Sequence, residues 1–424
     1  MQNKVYLCID LKTFYASVEC VERGLDPFTT KLVVADPDRC TSTICLAISP
    51  AMKALGIKNR CRVFEIPNNI DYIKAKPRMK KYIEYSANIY AIYLKYISKE
   101  DIYPYSIDEC FLDITNYLLL YKKTPIELAK MIINDVFSTT GITATAGIGD
   151  NLFQAKVALD IISKHSPDNI GYLNDELFKE KVWHHKPLSD IWQIGRGIER
   201  RLLKYNIHTL YDITCCNEEI LYKEFGVNAE ILIDHAYGRE IVEIADIKAY
   251  KPKAKSISHS QILGCGYEYK DAYLAFIEMI ETSVLDLIDR KVCVGGISIY
   301  ITYKDDGYKP LAASIKLDEY TQSYMKLREY LSDLFVKNVY KEPIIKSIGI
   351  GFFNIVDEIY ETHDLFTDSN LVQKEKNLAK AILGIKKKYG KNSVLKGMNY
   401  LEKATTKERN TLVGGHAGGE EGQS

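Results

Sequence analysis

The 424-residue sequence contains no apolar run of 18 or more residues, which excludes a membrane-spanning helix. It has no surplus of either charge: Lys plus Arg and Asp plus Glu both total 56, and the formal net charge is zero. A globally basic nucleic-acid binder is thereby excluded, so any polyanionic partner must be met by local asymmetry of charge. The ten cysteines include no CxxC pair, which removes zinc-finger spacing. The N-terminus carries Asp10 and Glu19 and no small-residue cleavage site, so neither an export signal nor a disulfide framework is expected. The expected setting is the cytoplasm, with reduced thiols. What the chain does have is 46% hydrophobic and 26% charged residues, the composition of a globular protein with several cores. At roughly 150 residues per domain, the length corresponds to about three domains.

The apolar run 5–9 ends at Asp10 and reads as a buried strand with a carboxylate at its end. Residues 14–21 read as a helix, and 32–35 and 43–48 as short strands. Residues 78–97 read as an amphipathic helix with Ile83, Ala87, Tyr90 and Leu94 on the apolar stripe. After a break at Pro104, Cys110, Leu112 and Ile114 alternate as on a half-buried strand. A helix at 125–139, a strand at 141–149 and a helix at 151–164, capped by Asn151, follow. With 25–75 set aside, this order resembles a ferredoxin-like β-α-β-β-α-β core with an insertion after its first helix. Residues 187–238 read as helical throughout, with Gly195 and Gly197 between two helical stretches. Residues 248–256 hold Lys248, Lys251, Lys253, Lys255 and Pro252 and read as an extended basic linker. Strands at 256–264, 292–303, 310–317 and 344–353, with helices at 271–290 and 321–338, predict a second β-α-β-β-α-β unit. From Asp357 the chain turns polar, with one helix at 371–389 and a Gly-rich, disordered end.

Asp10 and the pair Asp108/Glu109 are thus expected at two neighbouring strand ends of one sheet. Read singly they are ordinary surface acids; placed together they repel one another unless divalent cations sit among them. Mg²⁺ takes oxygen ligands and shares its shell with phosphates. Two such ions about 3.5–4 Å apart clamp the attacking and leaving oxygens of an in-line phosphoryl transfer.

The segments IDLKTFYASVE (9–19), TICLAISPAMKALGI (43–57), YSIDECFLDIT (105–115) and TATAGIGDNLFQAKVALDIISK (143–164) occur in this order and spacing. Together they resemble the Y-family, or translesion, DNA polymerases over about residues 4–356. The segment 41–67 and the tail resemble the UmuC/UvrX-type branch of Gram-positive bacteria and their mobile elements. The resemblance implies an α+β multidomain right hand. Its ferredoxin-like palm is 1–13 with 78–168, its small fingers 14–77, and its helical thumb, with a helix-hairpin-helix, 169–240. A basic linker at 241–255 leads to a β-α-β-β-α-β little finger at 256–356 and a partly disordered tail at 357–424.

Residue by residue, it implies that Asp10, Asp108, Glu109 and the backbone carbonyl of Leu11 hold two Mg²⁺ ions, with Asp113 structural. Tyr15 matches the steric gate against a 2′-hydroxyl, or else is a core aromatic; Phe14 lies beside the sugar and triphosphate. Lys53 and Lys164 match triphosphate-binding cations, with two departures. Pro50 stands where relatives carry an aromatic hydroxyl three residues before the fingers cation. The interval from Lys156 to Lys164 is one residue longer than the common pattern. Ile44 and Leu46 would roof the templating base. Gly195 and Gly197 would aim backbone N–H groups at a DNA phosphate, though Gln193 stands where the family often has Gly. Lys248, Lys251, Lys253 and Lys255 would contact phosphates. Asp364, Leu365 and Phe366 match the end of a sliding-clamp peptide, with Thr362 where Gln is usual and His363 where an apolar residue is usual.

The implied activity is error-prone, template-directed DNA synthesis past damage. The substrates are primer-template DNA and deoxynucleoside triphosphates; the sliding clamp, a recombinase filament or a small accessory protein are further partners, and a membrane is not. No segment resembles an editing exonuclease, and the short fingers imply low fidelity. Two alternatives stay open. One is a catalytically inactive, polymerase-derived DNA-binding protein, which the intact acidic trio disfavours. The other is a palm-type nucleotide cyclase, which has no use for a duplex-binding linker and thumb.

Overall fold

The computed structural model describes residues 4–37, 43–252, 256–362 and 368–419. Lys253, Lys255, Asp364, Leu365 and Phe366 lie outside the described residues. The chain divides into two compact units, the first ending at Tyr250 and the second starting at Lys251, apart from the short excursion Asp36–Thr43. The junction falls within the segment read as a linker.

The first unit is built on a five-stranded sheet of β1 (Tyr6–Leu11), β5 (Ile102–Pro104), β6 (Glu109–Asp113), β7 (Ala144–Gly149) and β8 (Ile170–Tyr172), in the order β5-β6-β1-β7-β8. A smaller sheet, in the order β3-β2-β4, comprises β2 (Leu32–Val34), β3 (Ala47–Ile48) and β4 (Ile73–Ala75). In the large sheet β1 lies antiparallel to both β6 and β7. Helices cover both of its faces, so Cys110, Phe111, Leu112 and Ile114 are all buried rather than alternating as expected. On one face Tyr6, Cys8 and Phe111 pack against Leu152, Ala155 and Leu159.

That packing is close because two glycines permit it. A Cβ at Gly147 would lie 2.2 Å from the Ala155 carbonyl oxygen, and one at Gly149 would lie 2.3 Å from the Ala155 nitrogen. On the other side the helix Pro125–Thr140 opens with a capping box, Thr124 with Glu127, and Pro125 in its first turn. It neighbours the helix Met79–Tyr93. There the expected stripe is corrected: Tyr82, Ile89, Ile92 and Tyr93 are buried, whereas Ile83 and Leu94 are exposed. The apolar count favoured Ile83 and Leu94, but the tyrosine face has a buried hydrogen-bond partner for its hydroxyl, Glu19, and an aromatic neighbour in Tyr15.

The expected helix at 151–164 is also revised. It is α-helical over Leu152–Val157, π-helical over Ala158–Ile162 and 3-10 over Ser163–His165. A π segment absorbs one extra residue in a helix. It sits between Lys156 and Lys164, where the interval is one residue long. The region 187–238 is not continuous helix but shorter pieces, Arg196–Leu203, Leu210–Cys215, Glu218–Phe225 and Asn228–Ala236. They share a core with Phe153 and Phe178.

The second unit is a four-stranded antiparallel sheet in the order β11-β10-β12-β9. Its strands are β9 (Ile257–Tyr267), β10 (Val292–Tyr303), β11 (Leu311–Thr321) and β12 (Ile345–Asp357). Helices Tyr269–Asp289 and Tyr324–Asn338 pack on the sheet around Phe276, Leu331 and Phe335. Chain order is β-α-β-β-α-β. The described part of the tail is not disordered. The helix Ser369–Tyr389 and a following turn, Gly397–Tyr400, pack Ala379, Leu383 and Met398 on that core. Glu278, fully buried, accepts hydrogen bonds from Asn399 Nδ2 at 2.7 Å, Thr405 N at 2.6 Å and Thr405 Oγ1 at 3.1 Å. The polarity of the tail hid these contacts from a reading by hydropathy.

Candidate active site

Register alone brings the acids together. Asp10 pairs with Glu109 across the antiparallel β1/β6 ladder, and like charges directly opposite each other destabilise a sheet. Asp108 sits in the preceding turn, tied to β1 by Leu11 N–H donating to the Asp108 carbonyl at 2.9 Å. Ser106 shapes that turn. Its hydroxyl donates to Asp108 Oδ1 at 2.6 Å and accepts from Glu109 N–H at 3.0 Å. Burial, then Asp108, then Glu109 push the Asp10 carboxyl up to about 7, with Lys156 opposing. Asp113, at the far end of β6, caps Thr115 N–H at 3.0 Å and faces Lys4 at 3.7 Å, a structural role.

Tyr15 lies in the helix Phe14–Val21, which begins immediately beyond β1 after Thr13 turns in the left-handed region at φ 47°. Its ring is half-buried, 4.7 Å from the Tyr82 ring and 5.6 Å from that of the buried Phe14. Burial and then Asp108 raise the Tyr15 hydroxyl. Glu19, on the same helix, is fully buried and fully answered. It accepts from Arg78 Nε at 3.0 Å, Arg78 Nη2 at 2.9 Å and Tyr82 OH at 2.8 Å, and also pairs with Arg23. Although burial opposes it, those donors hold the Glu19 carboxyl below the usual range.

Lysines gather near Asp10. Lys53 is lowered first by partial loss of hydration and also by Lys164, with Asp10 opposing. Lys12 is lowered by burial and by Lys53, again against Asp10. Lys12 and Lys53 are each within electrostatic reach of Asp10, and Lys53 also of Lys164. Pro50 occupies the first turn of the helix Pro50–Ala54, where its missing N–H is harmless, and buried Ser49 caps that helix through Met52 N–H. Ile44 is 52% exposed and Leu46 half-buried, while Cys45 between them is buried. Ile44 and Leu46 thus share one open face.

Gly195 caps the helix Arg196–Leu203. Neither Gly195 nor Gly197 has a positive φ, and a Cβ on either would meet nothing within 4 Å. Gln193 instead has φ 68°, a conformation that favours Gly. Lys248 is not in an extended linker. It lies in the last turn of the helix Ile244–Ala249 and donates to the carbonyls of Lys99 at 2.5 Å and Glu100 at 2.9 Å. Lys251 is exposed.

Three residues were missed from sequence. Lys156 is buried and bonds Glu109. Lys12 sits among the cations. Arg60, in the fingers, acts on the Tyr15 hydroxyl. Lys12 and Lys156 lie inside the quoted motifs, which was the available signal. Arg60 had none.

Comparison with known proteins agrees with this geometry. The model of the impB/mucB/samB family matches residues 9–160. A UV-damage repair protein, UvrX, of Bacillus subtilis is 34% identical over 419 residues, covering 98% of both chains. A protein of the same organism named DNA polymerase IV 2 is 27% identical, covering 98% of this chain and 99% of its own. A solved Y-family DNA polymerase chimera of Dbh and Dpo4 has the same fold, with a TM-score of 0.62 at 22% identity, over 83% of this chain and 99% of its own. The chain belongs to the impB/mucB/samB family, the Y-family that its motifs resemble.

Proposed function

We propose that Asp10, Asp108 and Glu109, with the Leu11 carbonyl, form the catalytic metal site of a translesion DNA polymerase. The chain is a template-directed DNA polymerase that extends a primer with deoxynucleotides past damaged bases. The observation that carries the assignment is the Asp10–Glu109 cross-strand pair, with Asp108 beside it and the Asp10 carboxyl pushed up to about 7. Lys156 answers Glu109, but among the described residues no side chain donates a hydrogen bond to the Asp10 carboxylate, and its carboxyl stays raised. Y-family polymerases are metal-dependent, and the donors here are all hard oxygens, which suit Mg²⁺. As they stand, Asp108 is turned to Ser106 and Glu109 to Lys156, and among the described residues no three acids close around one point. Two Mg²⁺ ions would lower the pKa of the primer hydroxyl and neutralise the triphosphate charge.

The remaining steps belong to side chains. Lys53 and Lys164, with Lys12, attract and hold the triphosphate. Tyr15, braced by Tyr82, fills the space a 2′-hydroxyl needs, while Phe14 supports it from the core. Ile44 and Leu46 offer an apolar face to the templating base. The open backbone at Gly195 and Gly197 suits close approach to a phosphate. Lys251, with Lys253 and Lys255, supplies sequence-independent phosphate contacts; Lys248 is already engaged by carbonyls of its own unit. The second unit serves as the little finger. Asp364–Leu365–Phe366 would dock the sliding clamp, and a recombinase filament or small accessory protein would act alongside. No described helix is long and apolar enough to cross a membrane. The work would be done at the nucleoid in the cytoplasm, where the DNA substrate lies.

The test is primer extension with Mg²⁺ on undamaged and abasic templates, parent against Asp108→Ala/Glu109→Ala. The parent should cross the abasic site, and the variant should lose roughly 10³-fold or more in rate while still binding DNA. Synthesis retained by the variant would remove the assignment. A chain that binds DNA but extends nothing would instead be the inactive binding protein.

A further inference from the structure

One buried cation in the first unit has no part in the chemistry above. Lys156 has 5% exposure, and its ammonium donates to Glu109 Oε1 at 2.9 Å and to Asp160 Oδ1 at 3.2 Å. We propose that Lys156 is a positioning residue that fixes the Glu109 carboxylate for the metal site, and that Asp160 sets how tightly it does so. The inference rests on the reading of Asp10, Asp108 and Glu109 as metal ligands.

The backbone of Lys156 is held where it can only face the acids. The helix Leu152–Val157 lies against β7 at a distance set by Gly147 and Gly149, with its neighbour Ala155 on the glycine backbone. Tyr6, Cys8 and Phe111 fill the same face of the sheet as Asp10 and Glu109 and pack on this helix, so the Lys156 stem is surrounded by apolar groups. An ordinary i,i+4 pair with Asp160 would stand in solvent and contribute little. Here the ammonium reaches across to the strand as well.

A lysine at one carboxylate oxygen leaves the other oxygen free and fixes the plane of the group. It also opposes a metal ion by charge. Asp160, in the π-helical turn that follows, draws the same ammonium the other way. Lys156 therefore trades metal affinity for orientation, and Asp160 moderates the trade.

This division of labour gives opposite signatures for two variants. Lys156→Met removes the opposing charge and the orientation together. Manganese binding to the full chain on primer-template DNA without nucleotide, followed by electron paramagnetic resonance, should tighten by about fivefold. The maximal extension rate should nevertheless fall roughly 10- to 100-fold, the range for lost support of a metal ligand. Asp160→Asn leaves the ammonium to Glu109 alone, so manganese binding should weaken by about threefold. Lys156→Arg, which can keep both carboxylate contacts, should retain most of the rate. The KM for deoxynucleotide should stay within about twofold in all three, since the ammonium is argued to act through Glu109.

Several results would overturn the proposal. A raised KM for nucleotide in Lys156→Met, with unchanged manganese affinity, would make Lys156 a triphosphate ligand. A lowered melting temperature with both readouts unmoved would make it structural. Should Lys156→Met not fold, Asp160→Asn decides alone, and unchanged manganese affinity there removes the idea. If Asp108→Ala/Glu109→Ala is inactive while these variants shift nothing, only this inference fails. If that double variant still synthesises DNA, the metal reading fails first.

Discussion

Two carboxylates, Glu278 buried in the second unit and Asp10 half-buried in the first, show how this chain separates chemistry from construction. Glu278 in the second unit is fully enclosed and receives three close hydrogen bonds from the tail, which satisfies it with donors of its own chain. Asp10 in the first unit faces Glu109 across the ladder with Asp108 alongside, and its carboxyl rises to about 7. Both units run β-α-β-β-α-β, so the fold does not make the difference. What differs is whether the donors are supplied from within. An acid completed by its own chain holds the structure together; an acid left without such donors is the kind that collects at functional sites, as proposed for Asp10.

The largest effect that would sharpen this contrast is on the satisfied side. Truncation before Gly397 strips Glu278 of Asn399 and Thr405 and should destabilise the second unit by about 3 kcal/mol or more, read as a lowered melting temperature. Adding Glu278→Met to the truncated chain should recover part of the loss, because the unpaired charge is gone. An unchanged melting temperature on truncation would deny the tail its structural role.

On the other side, Tyr15→Ala should reduce discrimination against ribonucleotides by roughly 10- to 100-fold in relative kcat/KM while melting shifts little. Intact discrimination with a large loss of stability would return Tyr15 to the core.

A smaller effect separates the two kinds of acid inside the first unit itself. Glu19 is held below its usual range by Arg78, Arg23 and Tyr82, although burial opposes them. Its folded value lies below its unfolded value, so its contribution is present above the unfolded value, about pH 4.5, and is lost as pH falls through the folded value. Glu19→Gln should flatten the acid limb of the stability profile and cost about 1–3 kcal/mol at neutral pH. A variant with the parent's acid limb would show that Glu19 is not held by those donors.

Most of what positions the acids was legible in the sequence, because it is local. A strand ending at Asp10, a break at Pro104 before the strand that follows Asp108 and Glu109, and a helix at 125–139 each announce themselves over a few residues. What stayed hidden depends on partners far along the chain. The buried face of Met79–Tyr93 was misjudged because Tyr82 is buried by its bond to Glu19, 63 residues away, which hydropathy does not count. Lys156 reads as one more helix lysine until β6 is laid beside its helix. The tail reads as polar until Glu278, 127 residues before Thr405, is found to need its amides. The long interval before Lys164 was visible, but only the π segment over Ala158–Ile162 shows where the extra residue is absorbed.

The central claim, that Asp10 stands in a deficit of positive charge which a metal ion fills, is tested most directly by thermal stability against pH. The parent and Asp10→Asn would be compared with and without Mg²⁺. The folded value of Asp10, about 7, lies above its unfolded value, so its contribution is full below about pH 3.8 and is lost as pH rises toward 7. The account predicts that the metal-free parent loses stability relative to Asp10→Asn across that window, and that Mg²⁺ restores the parent at pH 7 and above but not the variant. Parallel profiles for the two proteins, with Mg²⁺ affecting neither, would contradict it.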